Sequence, residues 1–149
     1  MSGSKQPVSV LVVIHTADRE VLLLERAAHP GLWQSVTGSR EGDETLLATA
    51  RREVQEETGI VATGEQFADW QIANTYTIFP AWRHRYPEGV QENVEHVFGL
   101  RLPQRVAITP APDEHRAWQW LPWQEAAERC FSWSNRDAIR LLAHNRQPI

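Results

Sequence analysis

The chain has 149 residues, a formal net charge of −4 and one cysteine, Cys130. That length fits one domain, residues 1–149, able to hide roughly 70% of its unfolded surface in one core, and apolar and charged fractions of 42% and 23% exclude a disordered or fibrous chain. Acids and bases are mixed without a basic stripe, which argues against a grip on polymeric nucleic acid and leaves a small anionic ligand open; a lone cysteine excludes an intramolecular disulfide and agrees with a reducing cytoplasm.

From the start, Lys5 and the apolar run Val8 to Ile14 superficially look like a signal peptide. No small-residue cleavage site follows, and Asp18-Arg19-Glu20 leads directly into a second β-type run, so two paired strands, Val8 to His15 and Glu20 to Arg26, are expected instead. No stretch approaches the roughly 18 apolar residues of a membrane span. His29, Pro30 and Gly31 break the pattern before a short extended stretch, Leu32 to Val36. Dense helix formers from Glu44 to Thr58, closed by Gly59, predict a helix. Ile60 to Phe79 suggests one or two strands, Arg83 to Tyr86 leads into the turn Pro87-Glu88-Gly89, and Asn93 to Leu102 alternates as a strand. Arg116 to Leu121 reads as a last strand, Trp123 to Arg129 as a short helix, and Ser134 with Asp137 as the capping box of a closing helix.

The chemistry-bearing pattern begins at Gly38: five residues, Glu44, seven residues, then Arg52-Glu53-Val54-Gln55-Glu56-Glu57-Thr58-Gly59-Ile60. On a helix, Glu53, Glu56 and Glu57 fall within roughly a 100° arc, and like charges so placed are destabilising unless a strong cation neutralises them. Magnesium binds through one or two carboxylates plus substrate phosphates, which suits this cluster. Leu47, Ala50 and Val54 would hold the helix on the sheet, Gly38 and Gly42 let the preceding loop turn and offer a carbonyl ligand, and Glu44 complements the helix dipole. A solvated acidic face is the ordinary meaning of such charges. Seven fixed and two aliphatic positions in register decide against it, because a chance match at a given start is on the order of one in a billion.

From Gly38 to Ile60 the chain resembles the Nudix box without a departure. The resemblance implies an α+β Nudix fold, an α/β/α sandwich around a mixed sheet, and a pyrophosphohydrolase dependent on Mg2+, with Mn2+ as a possible substitute. It further implies Glu53 and Glu57 as principal metal ligands, Glu56 as ligand or base, Arg52 as the residue orienting the cluster, and the Gly38 carbonyl as a ligand. Outside the box, Trp33 to Ser39, Arg83 to Tyr86, Asn93 with Glu95, Glu114-His115 and Ser132 to Arg136 are similar to the bacterial dihydroneopterin triphosphate pyrophosphohydrolase branch of that family. That similarity implies release of pyrophosphate from dihydroneopterin triphosphate in folate biosynthesis, and Glu114 as an added ligand or base. The box itself does not separate this substrate from a nucleoside triphosphate. A silent Nudix-like regulatory module would tolerate loss of box glutamates, and all are present here.

Arg26, Arg83 and Arg85 are expected to grip phosphates, since guanidinium groups pair bidentately with their oxygens, and period two puts Arg83 and Arg85 on one face of an extended segment. Among seven tryptophans, Trp33 beside the box loop is the expected ring-stacking residue. With Ser134 used as a cap, Asn135 is the expected ring-recognition residue. The partner is a small phosphorylated molecule, with no nucleic acid polymer and no membrane; the sequence does not set an oligomeric state, and a monomer suffices.

Overall fold

The computed structural model describes residues 4–144. Strand β1, Val8–Thr16, occupies the middle of a mixed sheet. It runs parallel to β6, Glu92–Leu102, from Val8↔Val94 to Thr16↔Leu102, and antiparallel to β4, Val36–Ser39. Burial of both faces explains why β1 reads as an unbroken apolar run rather than an alternating one. Strand β2, Glu20–Arg26, meets β1 only at His15↔Val21. Its long partner is β7, His115–Pro122, with the two-residue β3, Trp33–Gln34, on its other edge. The expected β1–β2 hairpin is therefore a splayed corner. Strand β5, Phe67–Thr77, pairs antiparallel with β6 through an irregularity between Asp69 and Ile72, where Gln71 takes φ 59°.

Helix α1, Leu46–Thr58, begins at Thr45, whose hydroxyl accepts from the Ala48 amide, and ends at Gly59, whose left-handed φ of 79° lets its N–H reach the Gln55 carbonyl. It covers one sheet face with Ala50 and Val54 against Val10, Val12, Ile14, Phe98 and Leu100; Leu46, not the half-exposed Leu47, completes the contact. Helices α2, Trp123–Arg129, and α3, Trp133–Arg140, cover the other face, where Ala126, Ala127, Ala138 and Ile139 meet Leu11, Val13, Leu23 and Val97. Two helical layers thus enclose the sheet, the expected α/β/α sandwich. Among the described residues no helix is long and apolar enough to cross a membrane.

At one end of the sheet the starts of β1, β6 and β7 meet the ends of β2 and β5. Because β1 and β2 part company there, they leave a cleft of about 680 Å³.

Candidate active site

Helix α1 presents Glu53 and Glu57 inward, 9% and 2% exposed, while Glu56 stays outside with a side chain 53% exposed. The three carboxylates therefore do not converge equally, because a turn of 100° per residue carries position 56 to the helix flank. Arg52 organises the outer edge. It donates to Glu44 from Nε at 2.8 Å and from Nη2 at 3.0 Å, to Glu53 at 2.9 Å, to Glu56 at 3.3 Å, and to the Ser39 carbonyl at 3.0 Å. Hydrogen bonding to Arg52 brings the Glu44 carboxyl down to about 2. Glu44 lies ahead of the N-cap Thr45, so it anchors Arg52 rather than complementing the helix dipole.

Gly38 is not a turn residue but lies within β4, where a Cβ would stand 2.0 Å from Cδ of Glu53. Only glycine lets that carboxylate lie against the strand. Burial raises both Glu53 and Glu57, Glu57 strongly, and the charges of Glu53 and Glu114 push Glu57 further. Glu57 Oε1 is buried without a hydrogen-bond partner, 3.8 Å from Nε2 of His115. His115 is no counter-charge, since burial and Arg26 lower its pKa to about 4. Among the described residues no group of three or more His, Cys, Asp or Glu side chains forms a metal-holding cluster. Two inward carboxylates, one of them with an unpartnered buried oxygen, still fit a divalent cation that takes its remaining ligands from phosphate and water.

Glu57 and Gly38 line the cleft together with Glu114, Lys5, Arg26 and Arg85. Lys5 and Arg26 are both lowered, chiefly by burial and then by Arg85, so the cations of the wall crowd one another. Arg26 Nε is buried and unpartnered, while its guanidinium lies 4.9 Å over the Trp82 ring and its Nη1 donates to Gln34 at 3.3 Å. Lys5 escaped the sequence reading because an isolated lysine near a terminus carries no pattern.

Three expected residues stand elsewhere or act otherwise. Arg83 does not line the cleft: Pro80–Arg85 is a 3-10 helix rather than an extended segment, and Arg83 Nε donates to the Ile78 carbonyl at 3.2 Å. Trp33 packs into the α2/α3 core with Arg129 over its ring at 5.8 Å, and the cleft is lined instead by other aromatics, among them Phe79, Trp82, Phe131 and Trp133. Asn135 lines the cleft, but its amide is spent on Ser35, accepting from the backbone N–H at 2.8 Å and donating to Oγ at 2.9 Å. The cap of α3 is Ser132, two residues earlier than expected, which leaves the buried Ser134 hydroxyl free to act on the Glu95 carboxyl.

Comparison with known proteins agrees with this geometry. The NUDIX domain family matches residues 5–142. The chain belongs to the Nudix family. Dihydroneopterin triphosphate diphosphatase of Escherichia coli K12 is 45% identical over 144 residues, 95% of either chain. The Haemophilus influenzae protein of the same name is 35% identical over 97% of this chain and 92% of its own. The solved structure of the E. coli dihydroneopterin triphosphate pyrophosphohydrolase superposes with a TM-score of 0.88 at 44% identity, covering 97% of this chain and 99% of that one. This Nudix hydrolase thus shares fold and near-full length with relatives named as dihydroneopterin triphosphate diphosphatases.

Proposed function

We propose that this Nudix hydrolase cleaves dihydroneopterin triphosphate, with water, to dihydroneopterin monophosphate and pyrophosphate, in the folate-forming route of a reducing cytoplasm. One observation carries the chemistry: the buried, unpartnered Glu57 oxygen beside Glu53, in a cleft that also holds Lys5, Arg26 and Arg85. The substrate comes from the names of relatives similar over nearly the whole chain. Residues 1–149 are read as a single domain, and the cleft is lined by residues of one chain.

Glu53, Glu57 and the Gly38 carbonyl would hold magnesium, or manganese in its place, which when bound neutralises phosphate charge and makes water more acidic. The chain's own groups do the rest. Lys5, Arg26 and Arg85 take the charge of the phosphate chain, and Arg26 Nε offers an unused donor to it. Arg52, joined to Glu44, Glu53 and Glu56, fixes the carboxylates. Glu114, in the cleft wall, accepts the proton of the water whose oxygen bonds to phosphorus as the anhydride oxygen leaves with pyrophosphate. Glu56, exposed and held by Arg52, is the lesser base.

Incubated with magnesium, the protein should release pyrophosphate from dihydroneopterin triphosphate much faster than from ATP or dATP, read by product chromatography. Equal or inverted rates would remove the pterin substrate while leaving the hydrolase. Glu57→Gln should lose most turnover and keep its fold; near-normal turnover would contradict a ligand role.

A further inference from the structure

Away from the carboxylate end, the cleft contains two hydrogen-bond acceptors with nothing to accept from. Asn93 Oδ1 and Glu95 Oε1 are both buried and both without a partner, and both residues line the cleft. They are two positions apart on β6, so the strand's period places them on one face, next to Ser9 of the parallel neighbour β1. Their other atoms are engaged. Asn93 Nδ2 donates to Ser9 Oγ at 2.8 Å and to the Tyr76 hydroxyl at 3.0 Å, which sets the orientation of the amide. The Ser134 hydroxyl acts on the Glu95 carboxyl and offsets part of the upward push that burial gives it.

Buried acceptors are normally satisfied, and leaving one unmade is costly. Two together, open to a cleft, point to a ligand that brings N–H groups. Leu11, Phe131 and Trp133 line the same cleft and supply apolar faces for a flat ring. A 2-amino-4-oxopyrimidine presents a ring N–H beside an amino group, the fork that a carboxylate accepts from guanidinium. An adenine puts an unprotonated ring nitrogen on the matching edge and would set acceptor against acceptor.

We propose that Asn93 and Glu95 are the specificity floor of the cleft, reading the N–H edge of a 2-amino-4-oxopyrimidine ring and rejecting rings that lack it. The proposal rests on the reading of the cleft as the seat of a small phosphorylated ring compound. It does not depend on which one, since pterin and guanine share this edge.

The test compares kcat/KM of wild type and Glu95→Gln on dihydroneopterin triphosphate, GTP and ATP. The variant should lose about 30-fold on the first two, mainly through KM, and less than about threefold on ATP. Equal effects on all three, or none, overturn the proposal. If wild type shows no preference for the pterin over ATP but Glu95→Gln still erases a GTP-over-ATP preference, the substrate reading fails and the acceptor pair stands. A second arm needs no variant: phosphate-free guanosine should bind wild type about tenfold more tightly than inosine, which lacks the amino group. Equal binding also overturns the proposal.

Discussion

Arg52 reaches back eight residues to close a fork on Glu44, with Nε on one carboxylate oxygen at 2.8 Å and Nη2 on the other at 3.0 Å. The remaining Nη1 is thereby aimed at Glu53 and Glu56. A lysine has the charge but not the fork. Arg52→Lys is expected to lower kcat about tenfold to a hundredfold, and to raise the magnesium concentration needed for half-maximal rate. Its unfolding free energy should fall by no more than about 1 kcal/mol, since partly exposed ion pairs are worth little. Metal titration of the rate, with urea unfolding alongside, reads both, and an unchanged metal requirement would refute the positioning role.

Gly38 makes the approach of α1 to β4 possible. Alanine there would put its methyl 2.0 Å from Cδ and 2.2 Å from Oε2 of Glu53, displacing the carboxylate rather than straining the backbone. Gly38→Ala should keep the circular dichroism spectrum of the wild type and lose about a hundredfold in turnover, in line with the effect of a misplaced catalytic group. Wild-type turnover in that variant would show that Glu53 does not act from against the strand.

Asn135 is expected to matter for stability first. It ties α3 to Ser35 by two hydrogen bonds within a fully buried contact. Asn135→Ala should cost about 2–3 kcal/mol, because the Ser35 amide and hydroxyl are left unsatisfied. Urea denaturation measures it, and a loss below about 0.5 kcal/mol would mean that water replaces the amide without cost.

The box was legible because most of its positions are local: a helix of known pitch fixes which of its residues share a face, and Thr45 and Gly59 lie within a turn or so of the groups they cap, while Gly38 meets Glu53 only because β4 lies against the helix. What remained hidden depends on neighbours far along the chain. Periodicity shows that β6 has two faces, but not that its Glu95 stands beside Ser9 of β1, some eighty residues earlier. The same limit hid the packing of Trp33 under Arg129 and the 3-10 turn that removes Arg83 from the cleft. Ser132 and Ser134 are both acceptable caps by composition, and the contact of α3 with Ser35 and Glu95 chooses between them.

His15 gives the fold a pH dependence unrelated to catalysis. It is 5% exposed at the end of β1, its ring 6.1 Å from that of Trp70, and its Nε2 has no partner. Burial, and then the positive charge of Arg101, lower its pKa from 6.5 to about 4. In the unfolded chain the imidazole takes its proton near pH 6.5, so between there and pH 4 the unfolded state binds more protons and folding stability rises with pH. The stability is fully present above pH 6.5, is lost as pH falls through that window, and loses nothing further to this group below it. The difference amounts to about 3 kcal/mol for this buried imidazole, and His115, lowered to a similar value, contributes in the same direction. His15→Phe fills the same space without a titrating group. Urea unfolding at pH 4.5 and pH 7.5 should therefore show a smaller loss in the variant than in wild type, the carboxylates common to both cancelling in the comparison. Identical losses would mean that the buried imidazole accepts its proton in the folded state as readily as in the unfolded one.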